Sequence, residues 1–419
     1  MLTVLRTTWP LLFGVLLLMI GNGMQSTLLG IRGGIESITT GAMSVVMASY
    51  FAGFLAGSLT VPRLIGRVGH VRVFAALGSL ISAILILYPA LPTWPAWAIE
   101  RLVIGFSFCG VYIIAESWLN AGATNETRGQ ALSAYMMVQM LGIVAGQGLV
   151  NFADPADYIP FIIPSVLVSL AFTPILLSRQ PAPRFDTIQR MSFARLWGVS
   201  PLGCVGIFLM GGLLASFIGM ASVWGAAAGL NTREISAFVA AIYVGGLLFQ
   251  WPVGRLSDRK DRRKLIVVLS LTGVVIVLSL MLTTPDIWGL LVAAALLGGV
   301  VNPVYSLLLA YTNDLLDASD MAAASAGLLF LNGIGAASGP LLTGWLMTVF
   351  GLDGFWIYNG ILLTGIAAYT AWRLTRRATA EATAVFTTIA PTITTVGVEA
   401  ALDAAPAPAE SGDDDEDAA

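Results

Sequence analysis

Charge is what this chain has little of. Only 11% of its 419 residues are charged, against about 25% in an average soluble domain, so water is not the solvent around most of its surface. Histidine occurs once, at His70, and cysteine twice, at Cys109 and Cys204. Both thiols lie inside apolar runs, and nothing has the spacing of a disulfide framework or a His/Cys/acid metal site. Neither a metal nor a cofactor is expected. No nucleophile has a base nearby in sequence, and a phosphate-cradling glycine loop is missing, which argues against a membrane enzyme and against an ATP-driven pump. No nucleic-acid partner is expected either.

What is there is apolar sequence: 57% of the residues are hydrophobic. A helix crosses the hydrocarbon with about 20 apolar residues, and roughly twelve such stretches can be read. They lie near 9–30, 42–62, 71–91, 95–116, 129–151, 158–178, 200–223, 234–254, 265–284, 287–310, 321–349 and 353–372. Lipid satisfies no backbone groups and no alternating barrel pattern is present, so each is expected to be a helix. The first follows Arg6, is too long for a signal peptide and has no small-residue cleavage site near Gly30.

Of the 21 Lys and Arg, 18 fall at the N-terminus, in even-numbered connections or after the last stretch. The positive-inside rule places these segments, and both termini, on the cytoplasmic side of the membrane. A tail from about residue 376 is rich in Ala, Thr and Pro, ends in DDDEDAA, and carries nine acids and no base from Thr379 onward. It is expected to be disordered and solvated, repelled by an anionic leaflet rather than docked.

The chain is also a repeat. A shift of 192 residues, within one, sets Pro10 on Pro201, Tyr50 on Tyr243 and Val111-Tyr112 on Val304-Tyr305. The segments expected are a six-helix bundle over 1–178, a cytoplasmic linker over 179–199 with Pro181 and Pro183, a second six-helix bundle over 200–375, and the tail over 376–419. Even numbers of spans make the two halves parallel, related by an axis along the membrane normal. Glycines at small-residue spacing, such as Gly53 and Gly57 or Gly142 and Gly146, suit close helix packing.

The repeated landmark with most chemistry is the charged clasp GRLSDRKDRR at Gly254 to Arg263, with a degraded copy, PRLIGRVGHV, at Pro62 to Val71. The clasp matches a G-x-L-[AS]-D-R-x-[GD]-R-R loop pattern through Gly254, Leu256, Ser257, Asp258, Arg259, Arg262 and Arg263. The copy keeps Leu64, Arg67 and Gly69 but has Gly66 for the aspartate. Together with Arg101-x-x-x-Gly105 in the fourth stretch, this layout resembles the major facilitator superfamily (MFS) over residues 1 to about 375. The resemblance implies an all-α membrane protein of 12 transmembrane helices in two parallel six-helix repeats. It also implies secondary transport by alternating access, with helices one, four, seven and ten lining a central cavity.

Ionisable groups inside spans cost at least about 2.5 kcal/mol at a helix centre, so the few present are candidates for function. Glu100 and Arg101 lie in the outer third of the fourth stretch and Glu116 near its cytoplasmic end. At 100° per residue Arg101 and Glu116 differ by about 60°, with Gly105, Phe108 and Tyr112 on the same broad face, a candidate cavity wall. Arg101 suits an anion anchor or a group that tunes a nearby acid, and Glu116 or Glu100 a proton carrier. Against this stands snorkelling of Glu100 and Arg101 at headgroup depth, with Glu116 as a helix cap. Asn22, Gln25, Gln139, Gln147, Asn302, Tyr305 and Asn332 complete the candidate site, each with helix-to-helix bonding or packing as its plainer role.

The charged loops are expected to gate. Asp258 would cap the positive N-terminus of the fifth helix near Arg128. Arg67 and Arg72 would pair with Asp314, Asp317 and Asp320, which come without any base. Some of these arginines must serve topology alone.

The function expected is secondary transport of a small organic solute, coupled to protons, by a chain that needs no second copy. A multidrug/proton antiporter is the alternative. Such antiporters resemble G-x-x-x-G-P-x-x-G in helix five, whereas here Gly142-x-x-x-Gly146 is followed by Gln147, and Gly335-x-x-x-Gly339-Pro340 lies in the eleventh stretch. A receptor or scaffold on the same bundle would call for a folded soluble domain or a docking helix.

Overall fold

The computed structural model describes residues 2–122, 124, 127–176, 191–283, 285–376, 394 and 396–397. Residues 179–190 of the expected linker and nearly all of the tail lie outside that set. Among the described residues, all regular structure is helical. The first six long helices are α1 (Leu2–Ile35), α2 (Thr40–Val68), α3 (His70–Ala90), α4 (Trp94–Ala121), α5 (Arg128–Leu149) and α6 (Ile159–Leu176). A seven-residue helix, Phe193–Val199, precedes the next six: α7 (Pro201–Ala227), α8 (Thr232–Ser257), α9 (Arg262–Leu282), α10 (Ile287–Asn313), α11 (Ala318–Phe350) and α12 (Asp353–Leu374). The first eleven long helices are long and apolar enough to cross a membrane; α12 is 22 residues long and packs among them.

Short polar residues start these helices where the sequence leaves the apolar runs. Thr39 caps α2 through the Ala42 N–H, and Asp286 caps α10 through the Gly289 N–H at 3.0 Å. Asn231 and Glu234 form a reciprocal capping box on α8. Helix α7 is interrupted by one π-helical segment, Ser216–Met220, of the kind that is frequent at functional sites. Large apolar side chains cover the outside: Leu282 is 84% exposed and Trp288 72%, which suits a lipid face and not a watery one.

The packing repeats as the sequence does. In the first six helices α1 meets α5 and α6, α2 meets α4, and α3 meets α4 and α6; the next six pair in the same way, α7 with α11 and α12, α8 with α10, and α9 with α10 and α12. The tightest contacts are glycine pairs. A Cβ on Gly53 would overlap the Leu102 carbonyl, and one on Gly105 the Tyr50 carbonyl. In the second set a Cβ on Gly245 would overlap the Ala295 carbonyl, and one on Gly298 the Ile242 carbonyl. Two helix backbones therefore touch at equivalent places, where only glycine fits.

Between the two sets, the close contacts gather on the face opposite the basic loops. Gly30 abuts Ser222, Gly344 abuts Ser44, and Asn151 donates to Ser236 Oγ at 2.8 Å. That face is sealed. Substituting Gly53→Ala or Gly245→Ala is expected to destabilise the detergent-solubilised protein by about 3 kcal/mol or more, since overpacking here strikes backbone. Gly66→Ala, with open space around it, should be neutral or stabilising by about 0.5–1 kcal/mol; thermal unfolding of the three variants checks this.

Candidate functional site

The α2–α4 glycine contact sets Tyr50 and Arg101 in register. Arg101 is 1% exposed and stacks its guanidinium 4.8 Å from the centre of the Tyr50 ring. Its Nη1 donates to Gln25 Oε1 at 3.0 Å and its Nη2 to Met47 Sδ at 3.3 Å. The relay continues along α1 and back to α4: Gln25 Nε2 donates to Asn22 Oδ1 at 3.0 Å, and Asn22 Nδ2 to Tyr112 Oη at 3.0 Å. Every one of these partners is neutral. Removing a cation from water without a counter-ion is among the costliest acts in a fold, and the Arg101 Nε has no partner at all among the described residues.

A cavity of about 1310 Å³ lies against this cluster. Asn22, Gln25, Tyr50, Arg101, Gln147, Tyr243 and Asn332 supply its polar lining, and Phe51, Phe54, Leu214 and Ile218 part of its apolar wall. Gln147 donates to the Gly23 carbonyl at 3.0 Å, while its own Oε1 and the Oδ1 of Asn332 accept nothing among the described residues. Residues with unspent donors or acceptors thus line a mostly apolar space, the usual make-up of a small-molecule site. The sealed face closes one end; Ser58 and Ala326 carry the lining toward the basic-loop face.

The other expected site residues separate. Gln139 and Asn302 line a second cavity of about 630 Å³, which shares Ile143, Leu214, Ile218 and Tyr243 with the first. Tyr305 is buried in α10 and lines neither, and no α10 residue lines the larger cavity. Of the helices one, four, seven and ten expected on the wall, α1, α4 and α7 line it and α10 does not. Helices α2, α5, α8 and α11 contribute besides, and α10 is held away because it packs against α8, where Gly246 meets the Asn302 side chain and Gln250 donates to Ser306 Oγ at 2.9 Å. Gly105, placed on the cavity face by the helical wheel, is spent on the Tyr50 backbone. Glu100 is 6% exposed, its carboxylate meets no partner among the described residues, and it lines neither cavity.

Glu116 is buried beside α5 and accepts several hydrogen bonds. Tyr135 Oη donates to its Oε1 at 3.2 Å. Thr394 N–H donates to Oε2 at 3.0 Å, the Thr394 hydroxyl bonds the same oxygen, and Gly397 N–H donates to it at 3.1 Å. The tail was expected to be a solvated appendage throughout. At Thr394, Val396 and Gly397 it is docked, with Thr394 reaching the lining of the large cavity; the sequence from 382 to 398 carries no charge, so its entry brings no unpaired ion.

On the basic-loop face two arginines of the clasp meet acids of their own half. Arg262 binds both carboxylate oxygens of Asp314 at 2.7 Å, the two side chains being 2% and 4% exposed. Arg263 pairs with Asp261 at 2.8 Å, and Arg195 with Asp320 at 2.6 Å. Arg67 and Arg72 are exposed, so the expected latch from these arginines to Asp314 and Asp320 is not made in this conformation. The reason is geometric: the contacts that bring the halves together lie at the other face. Gly254 is buried at the end of α8, Asp258 and Arg259 are exposed beyond it, and Arg128 opens α5 half-buried.

Residues 203–391 match the family model of the Major Facilitator Superfamily. The MFS-type transporter YcaD of Escherichia fergusonii is 30% identical over 351 residues, covering 82% of this chain and 89% of that protein. The chain belongs to the major facilitator superfamily. An MFS-type transporter of Yersinia enterocolitica is 28% identical over 352 residues, covering 82% of this chain and 89% of its own length. Among solved structures, the nucleoside transporter NupG, as its D323A mutant, superposes with TM-score 0.73 at 14% identity, covering 88% of this chain and all of its own. A D-xylose-proton symporter gives 0.67 at 13% identity over 90% and 99% of the two chains. The protein is thus a multi-pass membrane transporter of bacterial MFS type.

Four residues at the site were missed as candidates. Tyr50 and Tyr243 stood in the sequence as equivalent landmarks of the repeat, a signal that two related positions face one central space. Met47 and Tyr135 carried no signal, since a thioether and a phenol in apolar runs look like core. Replacing Arg101 with methionine, of similar length but uncharged, is expected to leave thermal stability unchanged or raise it by up to about 4 kcal/mol while abolishing ligand-induced thermal shifts. A loss of stability of about 3 kcal/mol would mark Arg101 as structural.

Proposed function

We propose that this transporter is a secondary active carrier of a small organic solute, works by alternating access and is coupled to protons. The observation that carries the reading is Arg101, a buried cation with only neutral partners on the wall of a large cavity. A solute bearing an anionic or strongly hydrogen-bond-accepting group would complete its shell, and Gln147 and Asn332 would orient the rest. The two six-helix halves, 1–178 and 200–375, rock about that site. In the proposed topology both termini and the basic loops lie in the cytoplasm of the inner membrane, so the sealed face is the outer one and this conformation faces inward. One chain holds a whole cavity, which is why a monomer suffices.

Glu116 is the proposed proton carrier and Arg101 the solute anchor, on one helix about fifteen residues apart. In the outward-facing state the basic-face charges would close the inside, with Asp258 at the start of α5 and Arg67 and Arg72 toward Asp314 and Asp320. The printed names of the structural neighbours, a nucleoside transporter and a D-xylose-proton symporter, agree with a polar organic solute. The GP glycine pattern lies in α11 rather than α5, which weighs against drug efflux.

The experiment is internal pH in proteoliposomes while a metabolite and drug panel is added outside. One solute class should evoke proton flux. In Glu116→Gln that flux should fall to the level of protein-free vesicles while solute binding persists, and in Arg101→Ala both should be lost. Undiminished proton flux in Glu116→Gln contradicts the assignment of the carrier.

A further inference from the structure

We propose that the tail segment carrying Thr394, Val396 and Gly397 is a tethered plug: docked on Glu116, it occupies the mouth of the cavity and holds the transporter closed to solute. The inference goes beyond the transport reading and does not need the solute to be known.

Three observations carry it. First, the plug's donors converge on one buried carboxylate: the Thr394 N–H at 3.0 Å, the Thr394 hydroxyl and the Gly397 N–H at 3.1 Å all bond Oε2. Hydrogen bonds to an ionised acceptor are about twice as strong as neutral ones, and here they replace the water that a carboxylate inside a bundle would otherwise need. Second, its three described residues are packed into the protein. Thr394 is 6% exposed and reaches the cavity lining, and Val396 packs on the hydrophobic core. Third, the sequence is built for it. The tail is acidic at its end, yet 382–398 is free of charge and rich in Thr, Val and Ile, so this stretch alone can enter the low-dielectric space.

The tether is long enough. Eighteen peptide steps from Arg376 to Thr394 reach up to about 60 Å when extended, and a covalent link of this kind gives an effective concentration on the order of millimolar. A solute competing for the same mouth meets that occupant at all times. Glu116 then has two exclusive partners, the plug in the resting state and the coupled proton in the working one. Protonation of the carboxylate removes the charge that the three donors hold, so release of the plug and loading of the proton are one event.

The test uses the full chain with Val396→Cys and a charged, membrane-impermeant maleimide. Cys204 is buried and Cys109, also buried, lines the large cavity, so both are first replaced by alanine. Labelling is expected to be slow in that chain and at least about tenfold faster after Glu116→Gln, which removes the charge that the three donors hold and leaves a neutral amide oxygen as acceptor; one lost charge-assisted bond already corresponds to that factor. Thr394→Pro, which deletes an N–H in the tail and leaves the bundle untouched, should give the same acceleration. In the cavity, labelling of Ser58→Cys should rise equally when the chain is ended after Ala378. Equal Val396→Cys rates in all three backgrounds, or a Ser58→Cys rate indifferent to the tail, overturn the proposal.

Discussion

A guanidinium almost wholly buried inside a membrane bundle, bonded to an amide, a thioether and the face of a phenol, needs a reason for being there. It is held by geometry and not by a counter-charge. The contact of Gly53 and Gly105 with carbonyls across the α2–α4 crossing brings the two backbones together, and this approach carries the Tyr50 ring over Arg101. Side chains any larger at those glycines would part the helices and leave the cation without its cradle. Packing in lipid has little hydrophobic drive between helices, so such crossings do the work that a core does in water. Arg101, Gln25, Asn22 and Tyr112 form one relay because the crossing fixes them.

The same crossing recurs at Gly245 and Gly298 in the second set of helices, yet no arginine follows it there. The repeat has kept the packing and dropped the charge. Where the first set presents Tyr50 with Arg101, the second presents Tyr243 to the same cavity with Asn302 behind it. An asymmetric site inside a symmetric scaffold is what binding a solute without symmetry requires. The basic-face charges show the same division: Arg262 and Asp314 are matched within one set, which leaves the arginines of the degraded copy exposed in this conformation.

Much of the fold was legible because the bilayer imposes it. Apolar length marked out the helices; the 192-residue shift also relates Gly53 to Gly245 and, within one, Gly105 to Gly298, a correspondence that gained meaning only when the crossings were seen. Arg101, Asn22, Gln25, Gln147 and Asn332 could be picked as polar groups that lipid would not tolerate, and all five line the large cavity. What could not be read is which face of a fully buried helix meets the void. On α4 both sides are packed, so the wheel put Gly105 toward the cavity when it touches α2, and α10 was given a place on the wall that α2 and α11 hold. The docking of Thr394 was hidden for another reason: a tail of overall negative charge reads as solvated, and the neutral stretch within it matters only once Glu116 is seen to be buried with Thr394 and Gly397 donating to it.

The central claim is that two sets of helices move against each other about one cavity. Spin-label distances measure this directly in liposomes, with one pair on the basic-loop face, Gly66→Cys with Lys260→Cys, and one on the sealed face, Ser37→Cys with Ala227→Cys. Complementary populations are expected: one state with a long basic-face distance and a short opposite-face distance, and a second with the two reversed, its share changed by Glu116→Gln. A single unchanging distance at both faces, or lengths that rise and fall together, would contradict it.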